Sequence, residues 1–169
     1  GYWELSGNDI YNTNVDYVNI KKGIKFPDGT IQTTSGLPSG YFWVTNIGNA
    51  PLLMQNGAQI SATCQAGMGC CWASYTGYAK NNNGTIQTRV VGGNSSNTSG
   101  SFDSGWVNGV TANGSTSGSW ANPDGGGGST TLSASAIASN QGIKLSGKTV
   151  LNGACCIGTD FYCTAETTW

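Results

Sequence analysis

Charge is what this sequence has least of. Asp, Glu, Lys and Arg make up 9% of its 169 residues, against roughly 25% in an ordinary soluble domain. Histidine is absent altogether, which excludes His-dependent catalytic triads and His-containing zinc sites. Lys and Arg number 7 against 8 acidic residues, so no basic field is present to hold nucleic acid. No uncharged apolar run approaches the ~18 residues of a transmembrane helix, and no membrane insertion is expected. Gly1-Tyr2-Trp3-Glu4 opens no signal peptide and reads as a boundary inside a longer protein.

What is present is polar and neutral. Gly, Ser, Thr and Asn supply 81 residues, nearly half the chain. Such a composition belongs either to disorder or to an all-β extracellular protein. Six Trp, seven Tyr and four Phe decide against disorder, because disordered chains are poor in aromatics. The length suits one domain, or one domain with a small appendage.

The cysteines indicate the compartment. Cys64, Cys70, Cys71, Cys155, Cys156 and Cys163 form two clusters, spaced C-x5-C-C and C-C-x6-C. An even count in so uncharged a chain favours disulfides and an oxidising environment. Adjacent cysteines are poor tetrahedral chelators and no C-x2-C pair is present, so no metal is expected. Six cysteines allow 15 connectivities. The near-mirror spacing predicts that the first cluster meets the second, closing loops of roughly 85 to 100 residues worth about 4 to 5 kcal/mol each.

Two regions are expected. Residues 1–36 read as very short strands (2–5, 9–12, 16–20, 23–26 and 30–34) separated by turn residues such as Pro27-Asp28-Gly29. Each strand offers only two or three apolar side chains, so one copy of the segment cannot bury enough surface to stand alone. Identical copies are the simplest partner. Gly36-Leu37-Pro38-Ser39-Gly40 breaks the pattern, and residues 37–169 form the second region. There, runs at 41–47, 59–64, 71–78, 85–91, 106–110, 130–137, 148–151 and 161–165 predict strands of a sandwich or barrel. Leu132, Ala134, Ala136 and Ala138 alternate with Ser133, Ser135, Ile137 and Ser139, as in a strand with one buried face. Between Gly92 and Ser129 the chain turns low-complexity, which reads as long Gly/Ser/Asn loops.

The N-terminal region resembles a known family. Trp3-Glu-Leu-Ser-Gly-Asn-Asp-Ile-Tyr-Asn-Thr-Asn-Val15, Val18-Asn-Ile-Lys-Lys-Gly-Ile24 and Lys25-Phe-Pro-Asp-Gly-Thr-Ile-Gln-Thr-Thr-Ser35 are similar to the shaft modules of phage tail-fibre-like proteins. The same modules occur in trimeric bacterial adhesins such as the mosaic adhesive trimer proteins of predatory bacteria. The resemblance covers about 35 residues. It implies a β-rich stalk wound from three chains and a variable C-terminal tip that recognises surface ligands. The two cysteine clusters depart from it.

Without His, an enzyme would rely on carboxylates, Lys, Tyr or Cys, and the second region offers Asp103, Asp124, Asp160 and Glu166. A glycosidase needs two carboxylates about 5 to 10 Å apart, one with a raised pKa, and no pair here has revealing spacing. A calcium site at Asp124 lacks the D-x-[DN]-x-[DN]-G array. The aromatics are more informative. Trp106 and Trp120 lie in polar surroundings with Asp103, Asn108, Asn122 and Asp124 close in sequence. An indole face suits sugar C–H groups while amides and carboxylates bond hydroxyls. The competing reading is that both rings fill the core. Trp43, Trp72 and Trp169 suit core or subunit interface, and Tyr75 and Tyr78 are candidates for the rim of a site.

The sequence therefore predicts an all-β, homotrimeric, secreted or cell-surface fibre tip: an intertwined β stalk at 1–36 and a disulfide-stapled β-sandwich or barrel head at 37–169. Its expected partner is a glycan held by Asp103, Trp106, Asn108, Trp120, Asn122 and Asp124, with no catalytic residue and no cofactor. The alternatives are a tail-spike-like polysaccharide depolymerase and a purely structural fibre cap.

Overall fold

Side chains that alternate between two environments every second residue build strands with one wet and one dry face. In the computed structural model this alternation runs through most of the chain. It describes residues 3–6, 9–12, 24–25, 31–32, 39–44, 52–69, 71–96, 98, 100–121, 126–153 and 156–169, with backbone alone at 3–32, 94–96 and 156–159. Every element among them is a β-strand. The expected strand at 16–20 lies outside the described residues.

Backbone proximity divides the chain into two units, Gly1–Leu37 and Pro38–Trp169. The first holds two short antiparallel pairs, β1 (Trp3–Ser6) with β2 (Asp9–Asn12) and β3 (Ile24–Lys25) with β4 (Ile31–Gln32). Strands of two to four residues bury almost nothing by themselves.

The second unit begins with a hairpin of β5 (Tyr41–Val44) and β6 (Leu52–Gln55). An antiparallel sheet follows, built from β7 (Gln59–Met68), β8 (Cys71–Asn82) and β9 (Thr85–Ser96), with β10 (Ser101–Asp103) and β11 (Val107–Asn108) both pairing to β9. The second antiparallel sheet runs in order β12 (Thr111–Ala121), β13 (Gly127–Ser139), β14 (Gly142–Gly153), β15 (Cys156–Thr168). The β8–β9 turn is Asn83-Gly84 with both φ angles positive, +52° and +87°. This is the two-residue turn whose twist matches that of the flanking strands. It sets the register in which Tyr78 faces Arg89 and Lys80 faces Gln87.

The sheets stack face to face, with β7 across β14 and β15, β8 across β13 and β14, and β9 across β12 and β13. The second unit is thus a sandwich. Its core mixes large side chains such as Leu132, Ile143 and Leu145 with many small ones: Ala62, Ala66, Ala73, Ala79, Ala112, Ala136 and Ala138 are all buried. Two aromatic rings enter where the opposing residue is glycine. Phe102 lies against both Gly92 and Gly114, where an added Cβ would fall 2.3 and 2.2 Å from its ring. Tyr75 likewise lies on Gly147. Gly and Ala let the sheets approach, and each ring fills the gap a missing Cβ leaves.

Cys64 of β7 and Cys163 of β15 form a disulfide that joins the two sheets, linking the two sequence clusters as expected. Cys71 is disulfide-bonded as well. Cys70 and Cys155 lie outside the described residues, and Cys156 is described by backbone alone. The stretch read as long loops between Gly92 and Ser129 is largely strand, because edge strands tolerate Gly, Ser and Asn when their neighbours supply the hydrogen bonds. Tyr75, expected near a site, has no exposed surface and belongs to the core. Trp43 is 49% exposed on the β5–β6 hairpin and fills no core.

Candidate functional site

The outward face of the β7–β11 sheet carries Tyr78 and Lys80 on β8 and Gln87 and Arg89 on β9, all at alternate positions. Its edge is shaped by an irregularity. Asp103 pairs with Val91, yet Val107 pairs with Thr88. Three residues, Ser104, Gly105 and Trp106, therefore oppose two on β9, which makes a bulge. Gly105 has φ +64°, as the turn of the chain here requires. Ser104 keeps the edge satisfied: its N–H donates to Val90 O at 3.0 Å, and its Oγ accepts from Val90 N–H at 2.9 Å.

The bulge delivers Trp106 above β8. Its ring meets the Tyr78 ring edge-on at 6.3 Å between centroids, and the Lys80 ammonium sits 4.1 Å from its centroid. Arg89 stands 5.7 Å from the Tyr78 ring and grips Asp103 with two bonds, Nε to Oδ1 at 2.8 Å and Nη2 to Oδ2. The Arg89 guanidinium, helped by the Gly105 N–H at 2.8 Å, holds the Asp103 carboxyl down at about 2. Asp103 is therefore an anion at any ordinary pH, a fixed acceptor rather than a proton donor. Alongside, Gln87 Nε2 donates to Asn108 Oδ1 at 2.5 Å. The result is a half-open patch with aromatic edges, two amides and a neutralised ion pair.

Of the sequence-predicted site, the structure brings together Asp103, Trp106 and Asn108. Trp120 requires a correction. It belongs to β12 in the opposite sheet, is 8% exposed, and packs with Cys71, Leu151 and Phe161. Its ring has no face to offer a ligand, because position 120 falls on the inward side of its strand. Asn122 and Asp124 lie outside the described residues. Tyr78 joins the patch as a rim residue. Lys80, Gln87 and Arg89 were missed, although the Asn-Gly turn carried the signal: counting outward from Asn83-Gly84 places 78 with 89 and 80 with 87 on one face. Nothing in the sequence marked the bulge.

Among the described residues no group of three His, Cys, Asp or Glu side chains gathers to hold a metal ion, and no helix is long and apolar enough to cross a membrane. Compared with protein-family models, curated proteins and solved structures, the chain matches none.

Proposed function

We propose that this chain is the tip of a trimeric extracellular fibre whose head binds a cell-surface glycan on the outward face of the β7–β11 sheet. The observation that carries this reading is the gathering of Trp106, Tyr78, Asp103, Arg89, Gln87 and Asn108 on one exposed surface. Aromatic edges with amide and carboxylate neighbours suit sugar rings, whose faces are apolar and whose rims are hydroxylated. Lys80 covers part of the indole, so a saccharide would meet the remaining rim. Hydrolysis finds less support. Asp103 and Asp160 are held low by Arg89 and Lys148, whereas a glycosidase acid needs a raised pKa.

On a saccharide array the intact chain is expected to retain at least one glycan. Trp106→Ala should weaken that binding about tenfold while changing stability by no more than about 1 kcal/mol. An array with no retained saccharide, or unchanged binding by Trp106→Ala, would rule the reading out.

The trimer rests on the N-terminal unit, whose strand pairs are too short to persist without partners. Three identical heads would also convert weak single sites into useful avidity. Sedimentation equilibrium is expected to return three times the 17.4 kDa chain mass. A monomer at micromolar concentration would contradict it.

A further inference from the structure

The outward face of the other sheet, β12–β15, carries a depression of about 640 Å³, within the roughly 300 to 1,000 Å³ typical of small-ligand sites. We infer that this trough is a second saccharide site, taking a short neutral oligosaccharide segment against Tyr162. The inference rests on the glycan-binding reading above and adds a site on the opposite side of the sandwich.

The register creates the trough. One row across the four strands reads Ser115, Ser133, Lys148, Tyr162, and the next reads Asn113, Ser135, Ser146, Thr164. Both rows point outward. Four serines form a floor of short hydroxymethyl groups, and taller side chains stand at its ends. A sheet face meant only for water is ordinarily covered by long charged chains, whose stems shield the backbone. Here the centre is left low and lined with groups that both donate and accept hydrogen bonds.

Tyr162 makes this more than a polar surface. Tyr162 is 67% exposed, so its ring face is open to stack against a sugar. Neighbouring groups hold the ring in place. Its hydroxyl donates to Asp160 Oδ2 at 3.2 Å, the Lys148 ammonium lies 5.4 Å from its centroid, and that ammonium bonds the same carboxylate oxygen at 2.7 Å. Lys148 is anchored in turn, because its backbone carbonyl accepts from the buried Tyr75 hydroxyl at 2.6 Å. A wall restrained in this way loses little freedom on binding. The Lys148–Asp160 pair also cancels its own charge, so the trough selects for a neutral ring over a phosphate or a uronate. The same combination of tyrosine, cation and aspartate stands on the opposite sheet as Tyr78, Arg89 and Asp103.

The test is an amide-resolved NMR titration of the full chain with cellobiose, maltose, lactose and N,N′-diacetylchitobiose, each carried into the millimolar range. At least one disaccharide is expected to shift the amides of Ser133, Ser135, Gly147 and Tyr162. Tyr162→Ala should weaken that response about tenfold, and Ser135→Gln, which fills the floor, should abolish it, with the amides around Trp106 responding as before. Shifts around Tyr78, Arg89 and Trp106 alone would overturn the trough and leave the proposed function standing. Trough shifts alone would support the second site and remove the first. Trough shifts indifferent to both substitutions would overturn the inference, and silence with all four sugars would overturn both sites.

Discussion

Tyr75→Ala is expected to cost about 3 to 5 kcal/mol, as large-to-small changes of buried aromatic residues do. Tyr75 is fully buried where the two sheets meet. Its ring fills the space above Gly147 and lies 6.3 Å from the Phe102 ring. Small Ala and Gly neighbours cannot swell to refill that volume, so the cavity would persist. The hydroxyl has a separate role, donating to Lys148 O and sharing a bond with Thr149 Oγ1, each at 2.6 Å. Tyr75→Phe keeps the ring and removes only these bonds, with an expected cost of about 1 to 2 kcal/mol. Burial raises the Tyr75 pKa, outweighing the Thr149 bond that lowers it. The folded state therefore holds this proton more tightly than the unfolded chain. Its stabilising contribution is complete below about pH 10, the ordinary tyrosine value, and is lost as pH rises further. Denaturant unfolding of both variants checks the ordering. A Tyr75→Ala loss below about 1 kcal/mol would show that the sheets close over the gap.

Removing the inter-sheet disulfide should have an effect of similar size. Cys64 and Cys163 are 99 residues apart in sequence and join β7 to β15. A loop of ~100 residues is worth about 4.7 kcal/mol in the chain-entropy model, and measured losses run at roughly 2 to 5 kcal/mol. The Cys64→Ser, Cys163→Ser double variant is therefore expected to melt roughly 4 to 20 °C lower, at about 2 to 4 °C per kcal/mol for a chain of this size. Cys71 keeps its own disulfide in that variant, so the fold should survive the loss. Calorimetry showing a shift under about 2 °C would mean that packing alone holds the sheets together.

Some of this was decided by the residues themselves. Alternation in Thr130–Ser139 assigns a strand with Leu132, Ala134, Ala136 and Ala138 inside, and β13 has that pattern. Period two is a local property, set by the geometry of an extended backbone. Asn83-Gly84 specifies a tight hairpin because few residues besides Asn and Gly accept positive φ at both positions. The meeting of the two cysteine clusters follows from their spacing and is realised in Cys64–Cys163.

Only the tertiary structure separated Trp106 from Trp120. The two share nearly the same neighbours, glycine, serine and asparagine, and composition ranks them alike. The difference arises from pairing across the chain: one extra residue at 104–106 turns Trp106 outward, while an uninterrupted register over Thr111–Ala121 turns Trp120 inward. A strand's faces are fixed by which partner it pairs with and in what register, and a slip of one residue exchanges them. For the same reason the serine trough was not legible. Ser115, Ser133, Ser135 and Ser146 lie on three strands, and they form one floor only because two separate pairings bring their rows into line.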